Sequence, residues 1–377
     1  MKLELFKAGH WRQRYQYKSF EPTKINDEWT WNDSVVSALL ERAAKSLGEL
    51  NAFSLIVPDV DLFIQMHVAK EAQTSSRIEG TQTGMDEVLM PEENIQLEKR
   101  NDWREVHNYI EAINAATITL DKLPLSNRLI KETHSLLMQG VRGENKAPGE
   151  FRISQNWVGG SNLTDAAFIP PHPDSVMDLM ADLENFLHND NIFTPHLIRA
   201  AISHYQFETI HPFLDGNGRI GRLLITLYLL NNGLLEKPSL YLSDFFERNR
   251  ASYYDALTKV RESNDLLHWI KFFLRGIEET ATKGRRVFSE ILKLRASAEE
   301  KVFKMGKRSG SAKILLDKLF VHPIIKVSEV ETMLSMSTPS SNALIKEFCG
   351  ADILKEMTGR TRKRIFVFDK YLNLFIK

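Results

Sequence analysis

Apolar residues recur at three- and four-residue spacing through most of this chain, the pattern of amphipathic helices. It is clear in 35–48 (VVSALLERAAKSLG) and 59–79, and again in 104–121, 126–139, 175–188, 195–210, 219–232, 251–263 and 265–293. Strand signals are few. In 151–170, FRISQNWVGGSNLTDAAFIP, Gly159-Gly160 and the SNLTD run sit between apolar ends, which predicts a hairpin or long flap. After about residue 295 the text changes. KMGKRSGSAK reads as a short, flexible, basic connector. Helices are predicted at 311–320, 327–334 and 338–348, the last behind Ser337-Thr338-Pro339, with Pro suited to a first turn. ILKEMTGRTRKRIFVFDKYLNLF then predicts two apolar strands around a basic turn, GRTRKR (359–364). Three helices followed by a two-stranded wing is the winged-helix order. The expectation is a mainly α chain in three parts: an N-terminal helical region (1–104), a central helical bundle with the flap (105–295), and a small α+β module (296–377).

Composition changes this picture in two places. At 377 residues the chain exceeds what one core usually serves, and 43% hydrophobic with 26% charged residues is an ordinary globular balance. Lys+Arg and Asp+Glu are 49 each, so net charge points to no polyanionic partner for the whole chain. Residues 301–377, however, hold 15 Lys/Arg against 7 Asp/Glu, and the first 300 hold 34 against 42, which marks the tail as a separate module. The single cysteine, Cys349, excludes an intramolecular disulfide and a multi-cysteine zinc site and fits a reducing compartment. MKLELFKAGHWRQRYQYKSFEP lacks the apolar core of a signal peptide, and stretches such as LLITLYLL are too short to span a bilayer. A soluble, cytoplasmic protein with no membrane partner is expected.

The chemistry concentrates in HPFLDGNGRIGR, His211 to Arg222. A helix delivers His211, and Pro212 stops it. Gly216-Asn217-Gly218 can turn so that backbone N–H groups form an anion nest. The next helix starts at once, and its dipole and unpaired N–H groups face the same place. Arg219 and Arg222, three apart, lie on one helix face and are expected to reach the same anion. Asp215 offers a hard oxygen beside it, as Mg²⁺ on phosphates requires. His211 supplies a base. Each feature alone has a structural explanation; together within twelve positions they describe a nucleotide-phosphate site.

HPFLDGNGRIGR resembles the signature of the Fic family, HPFx(D/E)GNGRxxR, at every specified position. The run-in AAISHYQFETIHPF, PGEFR (148–152), the PPHP turn (170–173) and RNRASYYDAL (248–257) are similar to Fic-domain text as well. The resemblance is strong over roughly 105–280, and the flanking helices and winged-helix tail are similar to those of a bacterial subgroup. It implies a protein adenylyltransferase that moves AMP from ATP to a Ser, Thr or Tyr hydroxyl of a target protein. His211 would be the general base and Asp215 the Mg²⁺ ligand. Gly216, Asn217 and Gly218, with Arg219, Ile220, Gly221 and Arg222, would bind the phosphates, and Asn249 and Tyr253 would line the nucleobase side. The 151–170 flap would dock an extended target segment as an added strand.

EAQTSSRIEGTQTG places Ser75 and Glu79 four apart on one helix face, which Gly80 can end. This resembles the family's inhibitory motif, whose glutamate would pair with Arg222 and block productive γ-phosphate placement. Two other functions stay open. One is a different transfer on the same scaffold, of phosphate, UMP or phosphocholine, or removal of AMP. The other is a nucleotide-sensing regulator that contacts DNA through the basic tail. The target, the modified residue, the signal that lifts inhibition and a homodimer are all left open by the sequence.

Overall fold

The computed structural model describes residues 1–141, 143–359 and 364–376. The fold is mainly α. A short hairpin, β1 (Gly9–Gln13) and β2 (Lys18–Pro22), precedes α1 (Ser34–Ile56), α2 (Val60–Ile78), the single turn α3 (Met85–Val88), α4 (Arg100–Leu120) and α5 (Asn127–Leu137). After an irregular segment come α6 (Pro173–His188), α7 (His196–Ile210), α8 (Asn217–Asn231), α9 (Ser243–Arg248), α10 (Arg250–Ser263) and the long α11 (Leu266–Phe303). The tail adds α12 (Ser309–Val321), β3 (Ile324–Lys326), α13 (Val327–Leu334), α14 (Thr338–Gly350), β4 (Lys355–Glu356), β5 (Ile365–Val367) and α15 (Asp369–Ile376).

The centre of the molecule is α7, in which every residue from Leu197 to Ile210 is buried, so it reads as core rather than as an amphipathic surface helix. It lies between α6, α8 and α11. His204 stacks between Phe246 and Trp269 at centroid distances of 5.7 and 5.6 Å. Burial holds its imidazole down at about 3, neutral at any working pH. No helix among the described residues is long and apolar enough to cross a membrane.

Several expectations are corrected. The N-terminal part is not wholly helical: β1 and β2 pair antiparallel, Gly9 opposite Pro22 and Gln13 opposite Lys18. The 151–170 segment holds no ladder among its described bonds beyond one antiparallel bridge, Val158 to Phe168. Its tip is instead braced by Asp165, whose carboxylate accepts from the Ser161 and Asn162 amides at 3.0 and 2.8 Å. The hairpin anchors its base, with the Phe20 amide donating to Ile169 O at 2.9 Å and Trp11 edge-on to Phe168. The basic connector is shorter than expected, because α11 runs to Phe303 and α12 begins at Ser309 after one tight turn at Gly306–Arg308. The boundary placed at 295 thus falls inside a continuous helix. In the tail, β3, β5 and β4 form one antiparallel sheet, and KYLNLF, expected to be strand, lies in α15. Residues 360–363 of the basic turn lie outside the described residues.

Candidate active site

The site is built where α7 hands over to α8. His211 caps α7 in the left-handed region (φ 51°, ψ 61°), its amide still donating to Phe207 O at 2.9 Å. Pro212 then prevents any helical continuation. The turn closes on itself through Asn217, whose Oδ1 accepts from the Phe213 amide at 2.8 Å while its Nδ2 donates to Phe213 O at 2.9 Å. Asn217 was expected at the phosphates; its buried side chain holds the loop, leaving only its backbone to face a ligand. Gly216 adopts φ 74°, where an L side chain is strained. The first N–H groups of α8 have no intrahelical partner and open towards the turn.

Two elements brace this turn from outside, α5 and the start of the flap segment, through side chains that periodicity did not mark. His134 of α5 lies flat on Phe213, with centroids 3.8 Å apart and 4° between planes. Its Nδ1 accepts from the Gly149 amide at 2.8 Å, so Nε2 carries the proton and donates to Asp215 O at 3.0 Å. Burial lowers this imidazole to about 4, which keeps that single tautomer neutral. Arg152, within the PGEFR text, and Asn156 both donate to His211 O, at 2.9 and 3.1 Å.

The His211 ring itself is half-buried, and its Nδ1 has no hydrogen-bond partner among the described residues. Burial is the main force pushing its pKa down to about 4, helped by the charges of Arg261 and Arg152 and opposed by Glu79. It therefore stands neutral and able to accept a proton. The Asp215 side chain is 37% exposed. One of its oxygens takes the adjoining Gly216 amide at 2.6 Å, and the carboxylate looks across to Gly143. No cluster of three or more His, Cys, Asp or Glu that could hold a metal exists among the described residues. The Asp215 carboxylate, partly exposed at the turn before α8, has the donor chemistry that Mg²⁺ takes, one or two carboxylates with its other ligands drawn from phosphates and water.

The two arginines engage different carboxylates. Arg219, 2% exposed, sends Nη1 to Glu105 of α4 at 3.2 Å, with Asp215 4.0 Å from Nη2. Arg222, 3% exposed, turns to α2. Its Nε donates to Ser75 Oγ at 2.8 Å, and Nη2 donates to Ser75 O at 2.9 Å and to Glu79 Oε1 at 2.7 Å. Burial works to raise the Glu79 carboxyl, but the charge and hydrogen bond of Arg222 outweigh it and hold the group below its ordinary range. Gly218 makes room for this contact: a Cβ there would come within 2.3 Å of Glu79 Oε1.

Four residues expected near the nucleotide are placed otherwise. The Ile220 side chain is in the core at 2% exposure. Tyr253, at 1%, stacks on Phe246 at 4.4 Å and shares a 2.9 Å hydrogen bond with His204 Nε2, so it is packing. Its neighbour Tyr254 is 39% exposed, and burial raises its phenol, with Glu79 adding to the rise and Arg222 opposing it. Asn249, between α9 and α10, donates its Nδ2 to Phe245 O at 2.9 Å, which occupies the side chain locally. Gly221 packs against Glu208, whose Oε1 would lie 2.3 Å from a Cβ there.

The Fic/DOC family N-terminal description matches residues 37–118, and the Fic/DOC family description matches residues 124–229. The protein adenylyltransferase Fic of Drosophila erecta is 33% identical over 169 residues, which is 45% of this chain and 30% of that protein. That of Culex quinquefasciatus is 36% identical over 133 residues, covering 35% of this chain and 24% of that one. The chain thus spans less than a third of the length of these curated relatives. Among solved structures, a Fic family protein from Desulfovibrio desulfuricans G20 superposes with a TM-score of 0.57 at 20% identity, covering 89% of this chain and 96% of that one. Fic-1 (residues 134–508) from C. elegans gives 0.51 at 20% identity, over 69% and 74%. At that identity the structural likeness speaks for the fold.

Proposed function

The chain is a Fic-domain protein, and from that premise we propose that it is a protein adenylyltransferase, transferring AMP from ATP to a hydroxyl side chain of another protein and restrained by Glu79. The observation that carries this is a neutral imidazole, His211, set at the turn that opens α8, while Arg222 of that helix is held by the Glu79 carboxylate at the end of α2. In this reading His211 takes the proton of the target hydroxyl, whose oxygen attacks the α-phosphorus as the bond to pyrophosphate breaks. The amides at the start of α8 and the guanidinium of Arg219 hold the phosphates. Asp215 would hold Mg²⁺, which when bound neutralises phosphate charge. The flap would present the target segment.

Restraint follows from charge. A γ-phosphate needs Arg222, and Glu79 already occupies it. Before desolvation is subtracted, such a pair is worth up to about 4 kcal/mol at an effective dielectric near 20. Its removal is therefore expected to raise turnover by about two orders of magnitude. The check uses ATP radiolabelled at the α-phosphate with cell lysate. Label should be strong with Glu79→Gly, faint with the parent chain and absent with Glu79→Gly/His211→Ala. Equal labelling by parent and Glu79→Gly would remove the restraint, and silence in all three would remove the transferase reading.

For the tail, we propose a duplex DNA contact, supported by the basic surplus of residues 301–377, which hold 15 Lys/Arg against 7 Asp/Glu. Retention on DNA that weakens with salt is expected. Retention indifferent to salt, or none at low salt, would reassign the module to protein docking.

A further inference from the structure

We propose that Arg152 and Asn156 are positioning residues for His211, fixing the turn that presents its imidazole and keeping a positive charge beneath it. The inference rests on the transferase reading above and adds to it two residues that are themselves buried, at 2% and 7% exposure. Four consecutive carbonyls of the turn are bonded from this one segment. Ile210 O accepts from Arg152 Nη2 at 3.2 Å, and His211 O from Arg152 Nε and Asn156 Nδ2. Pro212 O accepts from the Arg152 amide at 2.9 Å, and Phe213 O from Asn156 Nδ2 at 2.7 Å. The rest of the guanidinium reaches Pro171 O at 2.6 Å and Ser154 O at 3.3 Å, at the two ends of the flap.

Carbonyls at a helix C-terminus lack intrahelical partners and are ordinarily left to water or a capping glycine. Here the cap is a histidine at φ 51°, a conformation that persists only where the surroundings impose it. A planar guanidinium with five fixed donors suits that task in a way an ammonium does not. The arrangement is also more than structural. Arg152 is 2% exposed, yet among the described residues its guanidinium makes no carboxylate contact within ion-pair distance. Glu21, the nearest acidic influence on it, is engaged by Arg14 at 2.7 Å. Among the described residues, its hydrogen-bond partners are main-chain carbonyls. The charged groups bearing on the imidazole are Arg152 from this segment, Arg261 from α10 and Glu79 from α2, together with the backbone of Glu208 on its own helix. The two cations disfavour the imidazolium, so the base stays free to accept a proton.

The test separates geometry from charge, with all variants made in the Glu79→Gly chain. Arg152→Lys keeps the charge and loses the fork: kcat should fall about 10- to 100-fold with KM for ATP within about twofold, and the acid limb of the kcat–pH profile should stay in place. Arg152→Gln loses both, so kcat should fall and the acid limb should move to higher pH. NMR titration of the His211 ring reads the same charge without turnover, starting from about 4. It should move up in Arg152→Gln and hold in Arg152→Lys. If the Arg152 variants do not fold, Asn156→Ala leaves the guanidinium in place and should cut kcat about tenfold at unchanged KM for ATP. Unchanged kcat in folded variants, a loss appearing only as raised KM, or a His211 titration indifferent to Arg152→Gln would overturn the proposal. A Glu79→Gly chain that transfers nothing, with a His211 titration that still responds to Arg152, would overturn the transferase reading and leave the positioning intact.

Discussion

Glu208 lies one turn before His211, 8% exposed, and its Oε1 has no hydrogen-bond partner among the described residues. Burial pushes its carboxyl up to about 7, with Arg222 and Arg261 pulling against that and Glu79 adding to it. In the unfolded chain the same group titrates near its ordinary 4.5. The folded state therefore holds a proton that the unfolded state has released between those values. Its contribution to stability is complete below 4.5 and is lost as pH rises through 7. Glu208→Gln keeps the shape and removes the titration. Thermal unfolding should show this variant more stable than the parent at pH 8, by roughly 3 kcal/mol at most, with the gap closing towards pH 5. A gap independent of pH would mean that Glu208 is ionised in the fold and paired. The motif's third glycine, Gly221, is explained by this neighbour rather than by phosphate, because a Cβ there would meet Glu208 Oε1 at 2.3 Å.

At the level of elements, legibility followed sequence distance. The α7–turn–α8 unit was readable because its stop, turn and restart are written in twelve adjacent positions. The pairing of Glu79 with Arg222, 143 positions apart, was legible only through the resemblance of Ser75, Glu79 and Gly80 to the family's inhibitory motif, since a helical-turn spacing alone names no partner. What was hidden came from elsewhere in the chain: the carbonyls of the turn are held by Arg152 and Asn156, and Asp215 by His134 across 81 positions. Within helix α10 the spacing could not say which of two adjacent tyrosines faces the core, and packing on Phe246 decided for Tyr253. Strands were the least legible elements. GHWRQ in β1 shows no alternation, being almost entirely exposed, and pairs through β2. A hairpin or long flap was expected at 151–170, and Arg152 and Asn156 turn their polar groups to the α7–α8 turn, leaving one bridge and no ladder among the described bonds. In α15 the buried Tyr371, Leu372 and Phe375 follow helical spacing, a signal masked by the apolar strand text before it.

Across the whole molecule, the tail is joined to the central helical body through two shared helices. Helix α11, about 57 Å long by its rise per residue, packs on α1, α7, α9 and α10 and then on α12 and α15. Helix α2, which ends in Glu79, meets the tail at its other end. Phe63 lies edge-on to Phe320 and Tyr371 at 5.5 and 6.5 Å, and His67 sits between Phe288 and Phe375 at 4.8 and 5.1 Å. Arg295, where the boundary was placed, bonds Asp59 before α2 at 2.6 Å and lies 3.9 Å from Asp317 of α12 across the same junction. Charge adds to it, since Lys326 of the basic tail pairs with Glu93 of the acidic body at 3.0 Å. A module held by a continuous helix and an aromatic cluster has no weak linker at which to unfold first, so calorimetry should record one transition. Tyr371 is fully buried, with its hydroxyl donating to Phe320 O at 2.9 Å. Tyr371→Ala should lower that single transition by about 3–5 kcal/mol, the usual cost of emptying an aromatic site. If the variant instead splits the trace, with a small early step and an unchanged main one, the tail folds independently and the shared helices do not couple it to the body.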